Sequence, residues 1–260
     1  MQEIIFAIIA SSIIGVIIGL LGAGGSILIM PMLVYVLKIS PNEAVTYSLG
    51  IVGITSFISM LLSAHGNSFH SASFISFGLP ALSMTLFMRS MIMPNIPSSF
   101  TFGNHELYID KISMIILALL MLIASSRMIM NSPVQHRDES SHIALTISGI
   151  LIGMITGITG IGAGFLIVPS LVLLAGMTMR QAVFSSMILI SCNTLPSFAI
   201  DVIETSHVHF NTFFILLISS LLGSFLGIRY ANHINQDNLK KIFGIVIALI
   251  SIVILYKELS

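Results

Sequence analysis

Charge is what this sequence has least of. Only 8% of its 260 residues are Asp, Glu, Lys or Arg, ten of each sign, and the formal net charge is zero. That excludes a polar shell able to coat a water-soluble globule, and it leaves no electrostatic basis for binding nucleic acid. Cysteine is almost missing. The single Cys192 rules out an intramolecular disulfide and any cysteine metal cluster, and its place in an apolar run reads as a small core residue. No carboxylate falls in the middle of a predicted helix, so no proton relay of Asp or Glu is visible; Asp201 and Glu204 follow the segment over 179–200. His65, His70, His207 and His209 lie in loops without converging donors, and no cofactor motif is present.

What fills the chain instead is apolar: 56% of residues are hydrophobic and the mean hydropathy is +1.06. Several runs reach the roughly 20 residues a helix needs to span a bilayer. The sequence therefore predicts an all-α polytopic membrane protein with the lipid bilayer as its solvent. Met1, Gln2 and Glu3 lack the positive start of a secretory leader, so the first apolar run is expected to be retained. Predicted helices cover 4–21, 26–37, 41–64, 72–93 and 111–130, then 143–159, 164–175, 179–200, 209–230 and 239–257.

These two sets are related. Gly15, Gly19, Gly22, Gly24, Pro31, Ala44 and Ser48 return 138 positions later as Gly153, Gly157, Gly160, Gly162, Pro169, Ala182 and Ser186. The expected organisation is one repeat over 1–130, a polar connection over 131–142, and a second repeat over 143–260, each of four to five helical segments. A further polar stretch from Pro94 to Asp110 reads as an exposed loop. Ser40, Pro41 and Glu43 form a helix-start box, and Thr178 with Gln181 repeats it at the same shift. The positive-inside rule leans towards four crossings per half and parallel repeats, although helix plus break would be about 50 Å long if straight.

Matched Gly/Pro interruptions in two halves of an apolar chain mark a transporter's binding site. Unwound backbone at membrane depth survives only against protein or a water-filled recess. Gly22, Gly24, Gly25 and Ser26, with Gly160, Gly162 and Gly164, are the candidate solute-binding positions there. The short helices that follow carry Pro31 and Pro169 as helix breaks and present amide-rich ends suited to an anion. Gly15, Gly19, Gly153 and Gly157 are spaced for close helix packing instead. A second candidate set lies on the third segment of each half: Ser48, Thr55 and Ser59, matched by Ser186, Asn193 and Ser197, fall on one line of their helix within about 20°. Such hydroxyls bond across helices, bond back to their own carbonyls, or line a polar path. Arg89, Arg127, Arg180 and Arg229 lie near segment ends, where snorkelling to headgroups is the expectation.

The run Gly19-Leu-Leu-Gly-Ala-Gly-Gly-Ser-Ile-Leu-Ile-Met-Pro31, its copy Gly157-Ile-Thr-Gly-Ile-Gly-Ala-Gly-Phe-Leu-Ile-Val-Pro169, and the closing Gly223, Gly227 and Gly244 resemble the TauE/SafE sulfite exporter family over essentially the whole chain. That resemblance implies a multi-pass permease of the bacterial inner membrane moving sulfite, organosulfonates or related small anions, without catalysis. The chain departs from the pattern around Pro80 to Arg89, which lacks the paired glycines of Gly223 and Gly227, and in its long Pro94 to Asp110 connection. The expected partners are a small anionic solute and lipid, with room for a homo-oligomer. Two other classes fit some residues: an intramembrane hydrolase using Ser26, for which no histidine lies within a spanning segment, and a non-transporting membrane protein whose glycines serve packing alone.

Overall fold

The computed structural model describes residues 2–22, 28–29, 32–34, 37–64, 74–92, 99–102, 105–130, 142–159, 164–204, 210–231 and 233–259. Its helices are α1 (Gln2–Leu21), α2 (Pro41–Ser63), α3 (Leu79–Phe87), α4 (Ile109–Ile129), α5 (His142–Thr159), α6 (Gly164–Leu173), α7 (Met179–Glu204), α8 (Phe210–Ala231) and α9 (Gln236–Leu259). Wider π-helical turns, Phe74–Gly78 and Met88–Ile92, flank α3. Pro80 cannot donate to the carbonyl four residues before it, that of Ser76, and Thr146 Oγ1 donates to this carbonyl at 3.0 Å. The stretch expected as a loop contains a two-stranded antiparallel hairpin, Ser99–Phe102 with His105–Tyr108. Phe, Thr and Tyr favour extended backbone, and the sequence between the strands is Gly103-Asn104, which suits a tight reversal.

Among the described residues, four helices are long and apolar enough to cross a membrane: Glu43–Ser63, Met179–Ile203, Phe210–Ala231 and Gln236–Lys257; shorter apolar helices accompany them. Their side chains are arranged for lipid rather than water. On α8 the buried residues include Ser219, Ser220, Gly223, Ser224 and Gly227, while Phe214, Ile218, Leu222, Phe225 and Leu226 are exposed. An outer surface of large apolar groups over an interior of small and hydroxylated ones would be costly in water and suits hydrocarbon. Cys192 is exposed on this outer surface, not in the core as the sequence suggested. The apolar environment of a bilayer makes such a position unremarkable for a small apolar side chain and invisible to hydropathy.

The helix-start boxes form as expected. Ser40 Oγ accepts from the Glu43 amide at 3.4 Å, and Thr178 with Gln181 makes both reciprocal bonds, at 3.4 and 3.1 Å. Just before each box sits a left-handed residue: Lys38 (φ 53°) and, 138 positions on, Gly176 (φ 65°). At both places a backbone bond closes the turn, Ile39 N to Leu33 O and Met177 N to Leu171 O.

The chain forms two compact units that draw on both sequence halves. The first comprises Met1–His70, Ile161–Val168 and Thr178–Asn235 and contains α1, α2, α7 and α8. Here α1 lies on α8, with Gly15 against Ser220 and Gly19 against Ser224, so the two helices run in the same direction. A Cβ at Gly15 would overlap the Ser220 carbonyl oxygen and lie 2.7 Å from its carbon; one at Gly227 would lie 2.8 Å from Leu20 N. The glycines thus bring backbone onto backbone, which is what holds helices together where lipid supplies no hydrophobic drive. Ser11 Oγ adds a bond to Leu216 O at 2.8 Å. Helix α2 also runs parallel to α8, Tyr47 meeting Phe213 and Thr55 meeting Ser220. Against α7 the order reverses: Gly50 faces Phe198 and Gly53 faces Thr194, so α2 and α7 are antiparallel. Gly50 makes room for the stacked rings of Phe198 and Phe213, whose centroids are 5.4 Å apart.

Because α1 and α2 are both parallel to α8, both begin toward the same end of that helix. Parallel repeats of four crossings would require α2 and α7, the matching third segments, to run the same way. They run oppositely, contrary to the lean of the cation distribution, which rested on a handful of charges.

The second unit comprises Ser71–Gly160, Pro169–Met177 and Gln236–Ser260 and pairs α3 with α5 and α4 with α9. Gly149, Gly153 and Gly157 of α5 face Phe77, Ala81 and Met88. Thr85 Oγ1 bridges the pair, bonding Ala81 O at 2.8 Å and Gly153 O at 3.3 Å.

Candidate functional site

Both Gly-bearing helices stop where the sequence placed their breaks, α1 at Leu21 and α5 at Thr159. Gly22 takes φ +71°, a left-handed conformation that a side chain disfavours, and its amide donates to Ile18 O at 2.7 Å. The break then presses on α7: a Cβ at Gly22 would lie 2.6 Å from Val183 O and 2.7 Å from Ser186 Oγ. Ser186 Oγ lies 3.2 Å from Gly22 O and 2.7 Å from Val183 O, fastening the end of α1 to α7. The structure therefore brings together two of the predicted positions, Gly22 and Ser186. Ser186 serves there as a tie between backbone segments. Gly24, Gly25, Ser26, Pro31, Gly160 and Gly162 lie outside the described residues. Gly164 opens α6 and is buried; Pro169 lies within α6, which runs through it.

The predicted hydroxyl stripes separate into different roles. Thr55 Oγ1 pairs with Ser220 Oγ across helices at 3.2 Å. Ser197 Oγ bonds back to Asn193 O at 3.0 Å, and Asn193 itself is half-buried. Ser48 is buried at 7% exposure. Ser59 is fully buried and its Oγ has no hydrogen-bond partner; Ser56 and Ser185 share that condition. Other buried hydroxyls bond across helices, as at Ser11 and Thr55, or to a carbonyl four residues back, as at Thr156, Thr194, Ser219 and Ser251. The three unpartnered oxygens stand apart because an unbonded buried hydroxyl costs about 1–3 kcal/mol.

Sequence reasoning passed over Ser56 and Ser185. For Ser56 a signal existed: it is three residues before Ser59, and its position 138 on is Thr194, another hydroxyl. Ser185 has Tyr47 as its counterpart, whose hydroxyl stands at the far end of a ring and not beside the backbone. Arg180, expected to snorkel, donates instead to Ile234 O at 3.3 Å and ties the start of α7 to the turn after α8. Among the described residues no cluster of His, Cys, Asp or Glu could hold a metal ion.

Lipid-facing apolar surfaces, buried glycine crossings and interrupted helices define an α-helical membrane protein. The family model for the sulfite exporter TauE/SafE matches residues 6–254, and the chain belongs to that family of membrane transporters. Two proteins of Xylella fastidiosa, strains Temecula1 and 9a5c, each described as a probable membrane transporter protein, are 26% identical to it over 99% of this chain and 97% of their own length. A probable membrane transporter protein of Haemophilus influenzae is 29% identical over 70% of this chain and 67% of its own. No solved structure matches the chain.

Proposed function

We propose that this protein is a multi-pass permease of the bacterial inner membrane that moves a small anion, of the class of sulfite, organosulfonates or related sulfur oxyanions, by alternating access around its two Gly-rich breaks. The observation that carries the reading is the antiparallel pairing of α2 with α7, the two matching third segments, with the left-handed Gly22 break fastened against α7 by Ser186. Matching elements that run in opposite directions are the arrangement of inverted repeats, in which one half exchanges conformation with the other to open the site to either side. On this reading residues 1–130 and 143–260 are the repeats, joined by 131–142. The solute meets amide dipoles and hydroxyls, which suit an anion that is not stripped of all hydrogen bonds. The family and the names of the relatives support transport. The sulfur oxyanion rests on the family's description.

The test is a flux panel in vesicles reconstituted with the purified chain: sulfite, methanesulfonate, sulfate and acetate, in both directions, with and without a proton gradient. Saturable movement of sulfite or methanesulfonate, absent from empty vesicles, is expected. Movement of acetate alone would exclude the sulfur oxyanion class, and movement of none would exclude the permease.

A further inference from the structure

From the two unpartnered hydroxyls of α2, we infer that Ser56 and Ser59 form a two-point hydrogen-bonding seat for the transported oxyanion. Resting on the transport reading above, the inference adds which side chains hold the solute.

At 100° per residue Gly53 faces α7 and Tyr47 and Thr55 face α8, with Gly50 between Phe198 and Phe213. Ser48 and Ser59 lie beside Thr55, within about 40° of it, and Val52 and Ser56 follow further round, away from Gly50. All four are buried, with Ser56 and Ser59 at 0% exposure. That side is thus enclosed by the fold, yet the oxygens of Ser56 and Ser59 bond to nothing. Their counterparts 138 positions on, Thr194 and Ser197, have the same chance to remain open and do not: each bonds to the carbonyl four residues before it, Ile190 at 2.8 Å and Asn193 at 3.0 Å. Ser56 and Ser59 hold their hydroxyls off the backbone, at the cost an enclosed hydroxyl incurs when unbonded.

Spacing gives the seat its chemistry. Residues three apart on a helix set their Cβ atoms about 5–6 Å apart on one face. Two hydroxyl donors at that separation, each reaching about 2.7 Å, close on two oxygens of a single small oxyanion. Glu43 is the one charged residue within α2, thirteen positions before Ser56 and so about 20 Å away along the axis. The seat on α2 therefore binds through neutral donors, which allows release as readily as entry. Thr55 beside it remains with Ser220 and holds α2 to α8.

The test uses the full chain carrying Ser56→Ala, Ser59→Ala and both together, with Ser126→Ala as control, since Ser126 is exposed and bonded back to Ile123 O. Sulfite and methanesulfonate flux in vesicles is measured alongside the rise in unfolding temperature that each anion causes in detergent. Each single variant is expected to raise the KM for flux about tenfold, and the double variant to abolish both flux and the anion-induced rise. Unfolding without anion should occur at or slightly above the wild-type temperature, because an unbonded buried hydroxyl has been removed. Ser126→Ala should match the wild type. A double variant that transports and is stabilised like the wild type overturns the seat while leaving the permease standing. A wild type that neither transports nor is stabilised by either anion overturns both.

Discussion

Replacing Gly15 by alanine is the sharpest test of how the first unit is held together. The new Cβ would overlap the Ser220 carbonyl oxygen and lie 2.7 and 2.9 Å from the carbonyl carbon and Cα of the same residue. These are backbone atoms of a helix, so no side chain can swing aside. Clearing the carbonyl oxygen, the nearest of the three, requires α1 and α8 to part by more than about 1 Å, a gap that forfeits at least about half of each dispersion well. If about 50 atom pairs at about 0.15 kcal/mol meet along this seam, the loss is about 4 kcal/mol or more. Alanine returns about 1 kcal/mol through its better helix propensity. The net cost is therefore about 3 kcal/mol or more, or a fall of at least about 6 °C in the midpoint of thermal unfolding for a chain of this size. Detergent-solubilised protein followed by scanning fluorimetry reads the change directly. Ile9→Ala, on the exposed side of the same helix, should shift the midpoint by less than a third as much. A Gly15→Ala midpoint equal to or above the wild type would refute the account, because it would mean that backbone contact does not set the spacing.

Ser186→Ala removes the oxygen that meets Gly22 O and Val183 O, and should cost about 1 kcal/mol while loosening the break; faster hydrogen exchange at the Gly22 amide checks it. At the paired left-handed turns the effects should have opposite signs: Lys38→Gly relieves a strained φ of 53° and stabilises by up to about 1 kcal/mol, whereas Gly176→Ala destabilises by about 1–2 kcal/mol, both read as unfolding midpoints. Because α2 and α7 are antiparallel, Ser40 and Thr178, which precede them, should lie on opposite faces of the membrane. In a Cys192→Ser background, Ser40→Cys and Thr178→Cys should then react with an impermeant maleimide from opposite sides, and labelling from the same side would exclude inverted repeats.

Helix positions were legible because membrane helices are long apolar runs bounded by capping residues, and the boxes at Ser40 and Thr178 located two starts to the residue. The crossing glycines were legible for a related reason: the spacing of Gly15 with Gly19 and of Gly153 with Gly157 suits close helix packing, and all four lie at crossings. Helix direction was not, since the charges that vote on topology are few, and contacts such as Gly53 with Thr194 depend on tertiary structure. The hydroxyl stripes were found as positions but not as roles. Ser59 and Ser197 occupy matching sites, and only the rotamer decides that one bonds to its own helix and the other does not. The hairpin at 99–108 was missed because its strands are four residues each, too short for alternation to show.

The two joints differ in which partner supplies the glycines and agree in what meets them. In the α1 and α8 joint both helices contribute glycines, whereas in the α3 and α5 joint the glycines of α5 meet the main chain of Phe77 and Ala81 and the Cβ atoms of Met84 and Met88. A Cβ is placed by its own backbone, so the rotatable bonds of methionine begin beyond the point of conflict. Bulk added at Gly157, like bulk at Gly19, is therefore relieved only by moving one segment off the other, and both joints act as rigid seams.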